Sequence, residues 1–524
     1  MDTGVPAFPM SPVMAEMFRQ LGFDPDQVEG FLAHFLSYTH CALPEPPVTA
    51  DARLFALLPD NSVDHFSRPP DALLGNVVSR LPVKDAARTA ALSRRWRGVW
   101  RSAPLVLVDA HVHPAGTAYA QRVACAVSRV LAAHPGPFRC VHLTESPLLT
   151  AWLQIVAGKG IQELTLVNRP WPLEIFLPST FFLGMETLTR LYLGHWIFPV
   201  TADLPRAPCF PNLHELGLCD VVMKTGDLDF ILDRSPVLET LSLEGGRLEH
   251  CLRLVSQSLR RVQIIGCSVQ EIFVVDAPCL ERLIQSGGWC PEDTDGNCTR
   301  LKIGHAPMLH MLGYLELDSG HVLEVGKTII KAGTRVSQST MVPSVGILAL
   351  EVRFGVRNDA KMVPSVLRCF PNVETLHIKS AKTDRSTGKL NLKFWHECGD
   401  IECIRSRIKL LVFHDFRGGR GELAFLKYFF ETALVLKKVV ILFAVGFAST
   451  EEARSKLSSL GSVKRASETS TVLVTVPSDP KEGSIRSFKI GSRFSADDPF
   501  ANYSTKVTAS ELQYLRRSIF HPAK

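Results

Sequence analysis

From about residue 138 the apolar positions of this chain fall into a recurring triplet, with leucine or isoleucine at the first, fourth and sixth places. The clear copies are Ile161/Leu164/Leu166, Leu188/Leu191/Leu193, Leu213/Leu216/Leu218 and Leu238/Leu241/Leu243. Their starts lie 27 (188 − 161), 25 (213 − 188) and 25 (238 − 213) residues apart. Weaker copies follow at Leu259/Val262/Ile264, Leu280/Leu283, Leu309/Leu312, Val345/Leu348/Leu350 and Val373/Leu376/Ile378. The last two positions of each triplet alternate, which places them on one face of a strand. Pro211, Pro236, Pro278, Pro307 and Pro371 each stand two residues ahead of a copy. A proline there ends any preceding helix and favours an extended entry into the strand.

A strand plus a return segment every 20–29 residues is a leucine-rich repeat pattern. One unit cannot bury its own leucines, so neighbours must stack into a solenoid, expected here over residues 138–394. Each buried leucine contributes roughly 1.5–3 kcal/mol, which makes the triplets mainly a stability feature. The side chains between the leucines project from the strand-lined, concave face, and that face is the candidate surface for a protein target. The copies are irregular. A polar residue three places after the triplet fits only at Cys267, and the long gaps at 287–300 and 313–343 predict loops or altered units.

Elsewhere the period becomes helical. Pro69 and Pro70 suit a helix first turn. Leu73, Leu74, Val77, Val78 and Leu81 then form one apolar stripe, which Pro82 stops. A second helix is expected from Asp85, with Ala86, Ala87, Ala90 and Ala91 allowing close approach, and Trp96 and Trp100, four apart, share a helical face. Residues 1–45 read as a helical hairpin started by Ser11-Pro12 and Asp24-Pro25 and broken at Gly22, with a linker over 46–63. Residues 395–476 read as strand, loop, helix, strand, helix. Ile408, Leu410 and Val412 mark the first strand face, Leu423, Leu426, Phe429, Phe430 and Ala433 the helix, 439–443 the next strand, and Ala453, Leu457 and Leu460 the last helix. Residues 477–524 form a polar, partly ordered tail.

At 524 residues, 46% hydrophobic and 21% charged, the chain is globular and large enough for about three domains. Lys+Arg 58 against Asp+Glu 52 is a mild basic excess without the clustered face a nucleic-acid binder needs. No run reaches the roughly 18 apolar residues of a membrane span, and Met1-Asp2 opens no secretory signal. The 13 cysteines stand singly without zinc-site spacing, as in a cytosolic or nuclear protein. Neither a G-x-S-x-G elbow nor a P-loop occurs. The run Arg417-Gly418-Gly419-Arg420-Gly421 reads as a turn, and the pairs His111/His113 (placed on one strand face) and His305/His310 read as satisfied or solvated. No catalytic residue, cofactor or metal is expected.

The helical segment 64–110 resembles an F-box. The residues in register are Pro70-Asp71, Leu73-Leu74, Ser79, Leu81-Pro82, Lys84-Asp85, Arg88-Thr89, Leu92-Ser93, Arg95-Trp96-Arg97 and Trp100. Pro69 and His65-Phe66 depart from the usual pattern, which has leucine and Arg-Ile there. Residues 395–476 resemble the plant FBD domain through Ile408, Leu410, Val412, Phe416-Arg417-Gly418-Gly419, Glu422-Leu423, Phe425-Leu426-Lys427-Tyr428 and Leu436-Lys437-Lys438-Val439. The resemblance implies an α/β chain: N-terminal hairpin, helical F-box, irregular leucine-rich-repeat solenoid, and a βαβ FBD module that continues or caps it. It further implies a non-catalytic substrate receptor of an SCF-type ubiquitin ligase, docking on a Skp-family linker and through it on cullin. The linker-docking residues carried over by motif are Pro70, Leu73, Leu74, Val77, Leu81, Pro82 and Trp96. The alternative is an interaction scaffold whose F-box assembles no active ligase.

Overall fold

The computed structural model describes, with interruptions, residues 68–286 and 299–475, together with Thr39, residues 42–49, Asp498, Phe500 and a few isolated positions near the N-terminus. The expected N-terminal hairpin and most of the linker and tail lie outside the described residues. The chain divides into an N-terminal unit ending at Leu248 and a C-terminal unit from Glu249, which includes Asp498 and Phe500.

The N-terminal unit begins with three short helices, α1 (Asp71–Val78), α2 (Val83–Thr89) and α3 (Arg94–Ser102). Pro70 and Pro82 stand at the N-caps of α1 and α2, where a missing N–H costs nothing. Ser93 caps α3, its hydroxyl accepting the Trp96 N–H at 3.3 Å. Six strands follow: β1 (Leu105–Val108), β2 (Phe138–Leu143), β3 (Ile161–Val167), β4 (Arg190–Gly194), β5 (Glu215–Cys219) and β6 (Thr240–Glu244). All pair in parallel and in sequence order. The triplets stay in register across the ladder, with Leu164 opposite Leu191, Leu191 opposite Leu216 and Leu216 opposite Leu241. Every one of those leucines is buried. Helices α4 (Tyr119–Ala133), α5 (Leu149–Gly158) and α6 (Asp227–Asp233) lie on return segments. Phe181, Phe182, Phe198 and Phe210 are buried, and Phe182 packs edge-on against Phe198, Phe210 and Phe230 at 5.5–6.1 Å.

In the C-terminal unit a parallel ladder runs through β8 (Arg261–Ile265), β10 (Arg282–Ser286), β12 (Met311–Glu316), β15 (Ile347–Val352), β16 (Thr375–Ser380), β17 (Leu410–Phe416), β18 (Lys438–Phe443) and β19 (Thr471–Thr475). The weak copies of the triplet therefore form strands as the strong ones do. Between residues 251 and 330 the return segments include strands as well. These are β7 (Cys251–Val255), β9 (Glu271–Asp276), β11 (Thr299–His305), β13 (His321–Val325) and β14 (Thr328–Ile330), joined in a second sheet of five. The two long gaps of the sequence reading thus contain strands, apart from 287–298, which lie outside the described residues. Later returns carry α7 (Arg357–Cys369), α8 (Leu392–Glu397), α9 (Glu402–Ser406) and α10 (Arg420–Thr432).

Three expectations are corrected in detail. Both faces of β17 carry apolar core: Leu411 and Phe413 share one face in line with Ile408, whereas Val412, itself fully buried, and half-buried Leu410 alternate onto the other face beside Val440, Leu442 and Leu473. Ile408/Leu411/Phe413 is thus one more triplet, and Leu436/Val439/Ile441 on β18 another. His111 lies in a single 3-10 turn rather than on a strand, because β1 ends at Val108. Asp498 and Phe500, assigned to a polar tail, pack on the strand face, with Phe500 fully buried. Leu457 and Leu460 are buried helical positions as expected, and no described helix is long and apolar enough to cross a membrane.

Candidate functional site

The seven residues assigned to linker docking divide by burial. Leu73 and Val77, one helical turn apart on α1, are 59% and 48% exposed, and Leu92 in the turn after α2 is 68% exposed. Pro70 is exposed, and Leu81 and Trp96 are half-buried. Leu74 is 2% exposed and Pro82 is buried, with Pro82 bridged to Val106 of β1. Those two hold the module to its own chain and present nothing to a partner. Arg95 ties the helices together through an ion pair to Asp71 at 2.7 Å and a hydrogen bond to the Pro69 carbonyl. Trp100 packs edge-on against His134 at 5.2 Å, and burial lowers the pKa of that histidine. The module is thus anchored on its Trp100 and Leu74 sides, leaving Leu73, Val77 and Leu92 as its apolar surface.

Part of the strand face of the N-terminal unit is covered by the chain's own Thr39, Ala42, Leu43 and Val48. Ala42 and Leu43 are buried against Val167, Tyr192 and Cys219, and Val48 against Val106, Val108 and Cys140. Burial raises the thiol of Cys140 to about 12, and burial with the nearby Glu215 carboxylate pushes the Tyr192 phenol up. Thr39 Oγ1 lies 2.7 Å from His195 Nε2, and His195 Nδ1 lies 2.8 Å from Asp220 Oδ2. A carboxylate only accepts, so Nδ1 donates to Asp220, and Nε2 pairs with the Thr39 hydroxyl. Asn168 Nδ2 holds the His195 carbonyl at 2.9 Å. Hydroxyl, imidazole and carboxylate have the connectivity of a nucleophilic triad. With Thr39 at 1% exposure and the imidazole sealed, no substrate carbon reaches the hydroxyl. The arrangement works as a tether.

No contiguous signal marks this tether, because Thr39 is 156 residues from His195. A recurring signal exists at the second position after five of the triplets, however. His195, Asp220, Gly245, Gly266 and Asp415 all stand there, and all have positive φ between 50° and 67°. Only glycine, and less readily Asn, Asp or His, accepts that conformation. The left-handed corner of these repeats therefore sits at the second place after the triplet, which in the Cys267 copy is Gly266.

In the C-terminal unit the Arg417-Gly418-Gly419 run is a turn leading from β17 to the N-terminus of α10. Glu422 is buried and accepts from Ser380 Oγ at 2.5 Å and from Gly419 N at 2.6 Å. Burial raises its pKa despite these donors. Arg417 Nη1 donates to the carbonyls of Ser380 at 2.6 Å and Asp415 at 3.0 Å. A side chain at Gly421 would meet the Phe354 carbonyl at 2.4 Å, so glycine is required for close approach. An adjoining cavity of about 520 Å³ is lined by Phe354, Thr383, Leu390 and Arg420 among others. Glu422 already occupies the amide donors an anion would use there. Glu316, Asp318 and His321 also converge, but Asp318 meets Arg353 at 3.7 Å and His321 at 2.6 Å, which makes this an ion-pair cluster.

Comparison with known proteins follows the same division of the chain. A family model described as F-box domain matches residues 69–107. One described as FBD-associated F-box protein At5g56370, LRR repeats, matches 149–378, and one described as FBD matches 397–441. Among curated relatives from Arabidopsis thaliana, F-box/LRR-repeat protein At3g26922 is 27% identical over 56% of this chain and 94% of its own length. F-box/LRR-repeat protein 13 is 24% identical over 73% of this chain and 90% of its own. F-box/FBD/LRR-repeat protein At3g14710 is 23% identical over 76% of this chain and 92% of its own.

Proposed function

Because this chain belongs to the plant F-box, leucine-rich-repeat and FBD protein family, we propose that it is the substrate-recognition subunit of an SCF-type ubiquitin ligase. The observation that carries the reading is the exposed apolar set Leu73, Val77 and Leu92 on the F-box, an uncovered surface on an otherwise anchored module. A Skp-family linker covers that set and joins the chain to cullin. The repeats form a solenoid, the FBD strands β17 and β18 with α10 continue it, and its concave strand face receives a protein target in the cytosol or nucleus. The chain performs no bond chemistry. It raises the local concentration of the target's lysines near activated ubiquitin.

A second reading, an interaction scaffold that assembles no ligase, is favoured by one observation. Thr39, Ala42, Leu43, Val48, Asp498 and Phe500 cover parts of the strand face that a target would need. Co-expression of the full chain with a Skp-family linker and cullin separates the two. Recovery of a complex containing both supports the receptor, whereas linker recovered without cullin supports the scaffold.

A further inference from the structure

Phe500 lies across the strand face of the C-terminal unit, buried against Ile284 of β10, Met311 and Tyr314 of β12, and Ala349 of β15. Its ring centroid stands 5.3 Å from that of Tyr314 in an edge arrangement, and 5.4 Å from that of His377 on β16. The small Ala349 side chain gives the ring its floor, and Tyr314 and His377 contact it as two aromatic walls. Beside the ring, Asp498 Oδ2 lies 2.8 Å from His377 Nε2, while Oδ1 accepts the Phe500 N–H at 3.0 Å. His377 is itself sealed, and its Nδ1 meets His414 Nε2 at 3.1 Å. One carboxylate thus fixes both the imidazole and the backbone that carries the ring. The two anchors are spaced i and i+2, and the sequence between them is Pro499.

The residues that receive this pair belong to four different strands, whereas the pair belongs to neither repeat nor FBD. Twenty-three positions (498 − 475) separate Asp498 from the end of β19. Without the pair, an aromatic and aliphatic patch with a buried histidine would face solvent, which is the signature of a recognition surface.

We propose that this strand face is a peptide-recognition site for a target segment bearing a carboxylate followed two residues later by an aromatic ring, and that Asp498 and Phe500 are its resident, intramolecular ligand. The inference rests on the reading of the strand face as the target-binding surface. A tethered ligand acts at an effective concentration in the millimolar range, so a target must outcompete it or find it displaced.

The test uses the full chain and a fluorescent peptide carrying residues 494–504 of this sequence. The Phe500→Ala chain is expected to bind the peptide at least tenfold more tightly than the wild-type chain does. A peptide with alanine in place of its phenylalanine is expected to bind neither. If Phe500→Ala fails to fold, as judged by circular dichroism and thermal melting, Asp498→Ala removes the carboxylate that holds both His377 and the Phe500 backbone, so the resident ring is released more readily and a gain in the same direction is expected. Equal binding by wild type and a folded variant, or none by the folded variant, overturns the proposal. Linker capture measured on the same variant keeps the two claims apart. A chain that captures linker but takes no peptide loses this site and keeps its receptor role; one that takes peptide but no linker does the reverse.

Discussion

The hydroxyl of Thr39 lies 2.7 Å from Nε2 of His195, joining a segment ahead of the F-box to the left-handed corner after β4. That contact fixes Ala42 and Leu43 on the strand face, and with them the question of how a target reaches it.

Replacing Thr39 with valine keeps the shape but leaves a buried imidazole nitrogen without the hydroxyl. An unmet buried polar group costs about 1–3 kcal/mol. Denaturant unfolding of Thr39→Val should show a loss of that size, and Thr39→Ser should restore most of it. Wild-type stability in Thr39→Val would mean that the segment does not occupy this seat in solution.

On α1, neighbouring leucines should respond oppositely to truncation. Leu74 is 2% exposed and Leu73 59%, so Leu74→Ala should cost about 2–5 kcal/mol and Leu73→Ala less than about 0.5. Similar melting temperatures for the two variants would contradict the orientation of this helix.

Glu244 is fully buried, neither carboxylate oxygen has a partner among the described residues, and burial raises its pKa from 4.5 to about 8. The folded protein therefore holds this proton more tightly than the unfolded chain. Stability is undiminished below pH 4.5 and is lost as pH rises from there toward about 8. Glu244→Gln, which cannot ionise, should melt higher than wild type at pH 8, by an amount on the order of a few kcal/mol, and show much less gain at pH 5. A gain that does not change with pH would place the carboxylate in contact with water.

The FBD strand offers a register test. Leu411→Ala should destabilise by about 2–5 kcal/mol, since Leu411 is fully buried in the ladder core, while Leu410→Ala, half-buried on the opposite face, should cost clearly less. The reverse order would restore the alternation read from sequence.

That register slip shows where sequence patterning runs out. Triplets spaced by 25 or 27 residues announce their strands, because only stacked neighbours can bury those leucines. In the FBD segment, apolar residues fill both faces of β17 (Leu410 and Val412 as well as Leu411 and Phe413), so alternation alone cannot choose between them. A shift of one position recovers the triplet. The return strands β7, β9 and β11 carry the weak inside-outside alternation of a half-buried sheet rather than a leucine signature. On the F-box, Leu73-Leu74 and Val77-Val78 mark an apolar stripe wider than one contact, and only packing against α3 assigns one member of each pair inward. Thr39, Asp498 and Phe500 act through long-range partners, so their roles have no local pattern to read.

The most direct measurement is the affinity of the full chain for a purified Skp-family linker, compared with that of the double variant Leu73→Asp, Val77→Asp. Both side chains are exposed, so the variant should keep the wild-type melting temperature, while charges placed in an apolar interface should abolish binding. Tight binding by wild type and none by the folded double variant is the predicted result. Undiminished binding by the double variant, or no binding by the wild-type chain, would contradict the assignment of this face as the docking surface.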